Sequence, residues 1–135
     1  MSTNRPPIDV LLRGENSGGR LAVIEEVVPA NFGPPLHVHP SFDEGFYVLE
    51  GELTFQVRDE ILTGRSGTFA FALRGTPHTF ANRSGKDARV LIVCTPAGFE
   101  RYFDRLAAQL AGVDPPSEAG ASEPETHVVG PPIEL

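Results

Sequence analysis

Tryptophan is absent from this chain, and cysteine, methionine and lysine each occur once. A single thiol, Cys94, cannot close an internal disulfide. Inside the apolar run RVLIVC (89–94) it reads as a small buried core residue. One lysine, ten arginines scattered along the chain and a formal net charge of −7 leave no concentrated cationic surface, so no nucleic-acid partner is expected. No apolar run approaches the roughly 18 residues of a membrane-spanning helix. The opening MSTNRPPIDVLL also lacks the apolar core of a signal peptide, so no membrane partner is expected and a cytoplasmic location is the default.

What the chain does have is turn formers. Its 135 residues suit one domain, and 14 glycines and 13 prolines point to many short strands rather than long helices. Apolar residues come in short blocks bounded by those turn formers: IDVLLR (8–13), LAVIEEVV (21–28), FYVLEG (46–51), ELTFQV (52–57), EILTG (60–64), TFAFAL (68–73), HTFAN (78–82) and ARVLIVCT (88–95). With no helical stretch between them, they predict an antiparallel sandwich or barrel. The period changes once, in FERYFDRLAAQLAG (99–112). There Phe99, Tyr102, Phe103, Leu106, Ala107 and Leu110 recur at helical spacing opposite a charged face, and Gly112 is placed to end the helix. This predicts one amphipathic helix over 99–111, packed against the outside of the barrel. Residues 113–135 then form an acidic Pro/Gly-rich tail with five acids and no Lys or Arg. Residues 114–125 read as a mobile linker, and THVVGPPI (126–133) as a short strand able to fold back on the body.

Three of the four histidines lie where chemistry is expected. On a strand, residues i and i+2 share a face, so His37 and His39 can aim both rings at one point, and Pro35 and Pro40 keep the segment extended. Asp43 and Glu44 follow. Because neighbouring strand residues face opposite ways, only one of them can join the histidines. Glu44 shares its face with Phe46 and Val48, and His78 shares its own with Phe80 and Asn82. Imidazole together with carboxylate suits a divalent transition metal such as Fe, Mn, Ni, Cu or Zn.

The stretch His37-Val38-His39, four residues, Glu44, six residues, Gly51 resembles the first motif of the cupin superfamily. Gly67, five residues, Leu73-Arg74-Gly75, two residues, His78, three residues, Asn82 resembles the second, and the fifteen-residue spacer is that of compact single-domain cupins. The resemblance covers roughly residues 20–103. Two turn positions depart from the pattern: the glycine before the histidines is close by at Gly33, and Leu73 stands where proline is usual. The resemblance implies an all-β, double-stranded β-helix (the cupin jelly-roll barrel) with the C-terminal helix appended. It also implies one divalent metal held by His37, His39, Glu44 and His78, with Glu44 chosen over Asp43.

Cupins include dioxygenases, decarboxylases, isomerases, cyclases and binding proteins, so the fold leaves the activity open. LRGTPHTFAN (73–82) is similar to small quercetin-dioxygenase-like proteins, which implies a metal-dependent oxygenase acting on a small, largely apolar aromatic or enol substrate. Glu44 would then be both ligand and proton acceptor, a role that requires a raised pKa or a loosened metal bond. Phe46, Val48, Phe55, Phe69, Phe71 and Phe80 are the candidate pocket residues. The alternatives are a redox-neutral isomerase, cyclase or decarboxylase, and a non-catalytic small-molecule-binding cupin. A homodimer is the expected assembly.

Overall fold

Short apolar blocks between turn formers build both walls of the structure, with burial alternating at period two in β2, β7 and much of β9. In the computed structural model, which describes residues 6–116 and 123–135, ten strands form two five-stranded antiparallel sheets. The strands are β1 (Ile8–Leu12), β2 (Ala22–Val28), β3 (Pro35–Val38), β4 (Asp43–Glu50), β5 (Glu52–Val57), β6 (Glu60–Arg65), β7 (Phe69–Ala72), β8 (His78–Ala81), β9 (Ala88–Thr95) and β10 (His127–Pro132). One sheet has the order β1-β2-β9-β4-β7 and the other β10-β3-β8-β5-β6. The sheets face each other as a double-stranded β-helix.

Register lines up the inward residues of the first sheet in rows. Ala22, Cys94, Glu44 and Ala72 form one row, Ile24, Ile92, Phe46 and Ala70 the next, and Glu26, Val90 and Val48 the third. Small residues flank Glu44 in its row and leave room for a carboxylate. Across the interior, the Phe46 ring meets Phe55 and Phe80 of the second sheet at 5.5 and 5.8 Å. Cys94 is fully buried, and burial pushes its thiol well above the ordinary value, so it stays a protonated core residue.

A one-turn helix, α1 (Gly14–Ser17), occupies what the sequence reads as a turn after β1. The longer helix, α2 (Glu100–Ala111), ends at Gly112, whose φ of 70° is readily adopted only without a side chain. The expected position outside the barrel is only half of its role. Phe99 and Phe103 are buried in the barrel core, with Tyr102 and Leu106 packed against it, so α2 also closes one end of the interior. Near the end of the chain, β10 pairs antiparallel with β3, setting His127 opposite Val38 and Val128 opposite His37. The expected linker 114–125 falls partly outside the described residues, at 117–122. Its last part is tied down, because Glu123 pairs with Arg105 at 2.7 Å. Among the described residues, no helix is long and apolar enough to cross a membrane.

Candidate metal centre

The second sheet supplies the histidines and the first supplies the acid. His37 on β3 lies directly opposite His78 on β8, and His39 follows β3 by one residue. Glu44 enters from β4 on the facing sheet. One ligating atom from each of His37, His39, Glu44 and His78 falls within 4.8 Å of all the others. His39, Glu44 and His78 are buried, while His37 is half-buried and faces the opening. These are the four residues that motif spacing selects, and the fold brings all four together.

The outer nitrogens of the rings are all engaged. Nδ1 of His37 lies 2.7 Å from the Pro35 carbonyl and Nδ1 of His78 lies 2.9 Å from the Thr76 carbonyl. A carbonyl only accepts, so both Nδ1 atoms carry a proton; in the neutral ring that leaves Nε2 as an inward lone pair, and only the doubly protonated ring can donate from Nε2 as well. Nδ1 of His39 lies 3.0 Å from the Thr126 hydroxyl, which anchors the ring from the tail as donor or acceptor. Phe42 stacks on His39 at 4.4 Å and Phe99 packs against it at 4.7 Å, fixing the ring plane.

Inside the cluster, Glu44 Oε1 stands 3.0 Å from His78 Nε2 and 3.1 Å from His39 Nε2. Lone pair against carboxylate oxygen at that distance is repulsive unless a proton or a cation lies between them. His39 Nε2 is buried and has no partner with hydrogen-bond geometry. An orphaned imidazole nitrogen, two more lone pairs and a carboxylate, with every outer nitrogen anchored, fit a divalent transition metal in both ligand and supporting shell. Burial alone would raise the Glu44 carboxyl, but the imidazoles of His39 and His78 against it outweigh burial and hold it down at about 2. A low value suits a carboxylate placed as a ligand; the proton-acceptor role expected of Glu44 then depends on a loosened metal bond. Burial lowers His37, and His78 and His39 add to the effect. For His78 burial also pulls down, but the bond to Glu44 wins and raises it.

The cluster opens into a cavity of about 440 Å³ walled by Phe46, Phe80, Ile92, Phe99, Phe103 and Leu106. Of the expected pocket residues, Phe46 and Phe80 stand on its wall, whereas Val48 and Phe55 are buried in the core behind it. Phe69 and Phe71 do not belong to the interior, and their expected place in the pocket is corrected here. On β7 it is Ala70 and Ala72 that face inward; Phe69 and Phe71 lie on the outer surface, 55% and 46% exposed. Gly45 makes room for them, since a Cβ there would come within 2.8 Å of the Phe69 ring. Asp43 likewise faces away from the centre and accepts from Arg74 through its backbone N–H at 2.8 Å and its Nε at 3.1 Å. Arg74 is therefore engaged outside the cavity.

Sequence reasoning missed Thr126, Phe99 and Glu26, which also line the cavity. Glu26 had a visible signal: it is the one acid on the inward face of β2, between Ile24 and Val28. Thr126 had none, since it reaches His39 from 87 residues away.

The cupin-domain family model matches residues 23–94, and the chain belongs to this family. Its structure is similar to that of TT1209 from Thermus thermophilus, with a TM-score of 0.59 and 26% identity over 71% of this chain and 90% of that one. It is similar in fold to a predicted oxalate decarboxylase from Thermotoga maritima (TM-score 0.62, 23% identity, 66% and 78% covered). KdgF from Halomonas sp. is also similar in fold (TM-score 0.58, 18% identity, 70% and 84% covered). No curated protein matches the sequence.

Proposed function

We propose that this cupin is a metal-dependent oxygenase acting on a small, largely apolar aromatic or enol substrate. The observation that carries the reading is the three-histidine, one-carboxylate cluster facing an aromatic-walled cavity. When bound, a divalent metal supplies Lewis acidity toward an enol or phenol oxygen, and a redox-active one also supplies electrons for dioxygen chemistry. The protein's own groups prepare that chemistry. Pro35, Thr76 and Thr126 hold the imidazoles with Nε2 inward, and Phe42 and Phe99 keep His39 from rotating. Glu44 remains ionised at neutral pH and contributes the one negative charge of the ligand set. Phe46, Phe80 and Phe103 suit a flat apolar ring and exclude water from around it.

Oxygen uptake is the test. Protein loaded in turn with Fe, Mn, Ni or Cu is mixed with flavonols, catechols and related enols in an oxygen-electrode cell. Substrate-dependent uptake that disappears in His39→Ala supports the reading, and no uptake with any pair removes it. A redox-neutral reaction is the second reading, suggested by the fold similarity to a protein described as a predicted oxalate decarboxylase. It gives product formation without oxygen consumption.

A further inference from the structure

The inward row of β2 reads Ala22, Ile24, Glu26, Val28, a single acid among apolar side chains. Glu26 is 8% exposed and borders the cavity, yet among the described residues it has no hydrogen bond and no ion pair. Its neighbour Glu25, on the opposite face of the strand, pairs with Arg89. The fold can thus neutralise an acid on this strand and leaves Glu26 unmatched. The carboxyl opens onto the cavity, where Tyr102 and Arg105 also stand, so its partner is whatever fills the cavity. A ligand there can supply one.

The position says which part of a ligand. Glu26 lies two inward rows from Glu44, roughly 13 Å along the strand direction, with β9 between their strands. The intervening row is apolar, with Ile92 and Phe46 on the cavity wall. Building on the metal-centre reading above, we propose that Glu26 determines specificity by hydrogen bonding a hydroxyl at the end of the substrate away from the metal centre. The substrate class narrows to an elongated, mostly apolar molecule with an enol or phenol oxygen at one end and a hydroxyl at the other. Burial, reinforced by the charge on Glu44, raises the Glu26 carboxyl to about 7. A carboxyl that near neutrality suits a neutral hydroxyl, which bonds to either of its forms; a cationic amine requires the ionised one.

The test uses full-length wild type, E26Q and E26L, each loaded with the same divalent metal and titrated with 3-hydroxyflavone and with 3,4′-dihydroxyflavone. Wild type is expected to bind the dihydroxy compound about tenfold more tightly than its parent. E26L is expected to bind the two equally while keeping its affinity for the parent, and E26Q, whose amide still accepts a hydrogen bond, to keep part of the preference. Equal binding by wild type, or a hydroxyl preference that survives in E26L, overturns the proposal. A second arm needs no ligand: thermal unfolding at pH 8, where E26L is expected to melt a few degrees above wild type because an unpartnered acid has gone. A lower melting temperature marks a structural role and overturns the proposal. If metal-loaded wild type binds neither flavonol, the enol or phenol substrate class fails instead, and the thermal arm still decides the role of Glu26.

Discussion

His39 is held from three directions: by Phe42 and Phe99 on its ring and by Thr126 at Nδ1. Of these, the Thr126 contact isolates orientation from ligation, because the hydroxyl touches no cavity lone pair. Thr126→Val removes the hydrogen-bonding hydroxyl and keeps the shape. Metal affinity is expected to fall about 10- to 100-fold, read by competition with a chromogenic chelator, while the fold remains intact. Removing a ligand outright in His39→Ala or His78→Ala is expected to leave protein that carries no metal by elemental analysis. Glu26 gives a second residue-scale prediction through pH. Its folded value of about 7 lies above the ordinary value of 4.5, with burial the main cause. The proton it holds therefore stabilises the fold fully below about pH 4.5, and that contribution is lost as pH rises through 7. Replacement by glutamine removes the titration. From pH 5 to pH 8 the stability difference should shift toward E26Q by on the order of 2 kcal/mol, measured by urea unfolding at each pH. Equal pH profiles for the two proteins count against the burial argument.

The helix α2 reaches the metal centre through its first turn. Glu100 is 2% exposed and accepts from the backbone N–H of Gly14 at 2.8 Å and of Gly98 at 2.6 Å. It thus fastens α1 and the β9–α2 connection to the helix start, where Phe99 meets His39. Glu100→Ala strands both donors and is expected to cost about 3 kcal/mol of stability by urea unfolding, with weakened metal retention as the helix start loosens. The elements also show what the sequence makes legible. Strands β2, β4, β5 and β9 announce themselves as short apolar blocks between turn formers, with burial alternating cleanly in β2, and α2 because its apolar residues recur at helical spacing. The ligands follow from motif spacing within two short stretches. The aromatic run of β7 misleads, since periodicity tells which residues share a face but not whether that face turns inward; Gly45 on the neighbouring strand settles that for Phe69 and Phe71. The α1 turn and the Thr126 contact depend on pairings between distant segments, which no local pattern encodes.

Across the whole molecule, the ligands are divided between the two sheets: His37, His39 and His78 belong to the β10-β3-β8-β5-β6 side, and Glu44 to the β1-β2-β9-β4-β7 side. Metal loading is therefore expected to raise the melting temperature, and chelation to lower it, in proportion to the logarithm of free metal over its dissociation constant. Where that stabilisation lands is more telling. An ion held by both sheets rivets the halves of the barrel together, so prising them apart must first break coordination. Amide hydrogen exchange should slow in β4 and β8 together, on opposite walls, while the β5–β6 hairpin, which carries no ligand, exchanges as before. The metal site is then also a mechanical fastener, and the opening of the barrel and the loss of its ion become a single event.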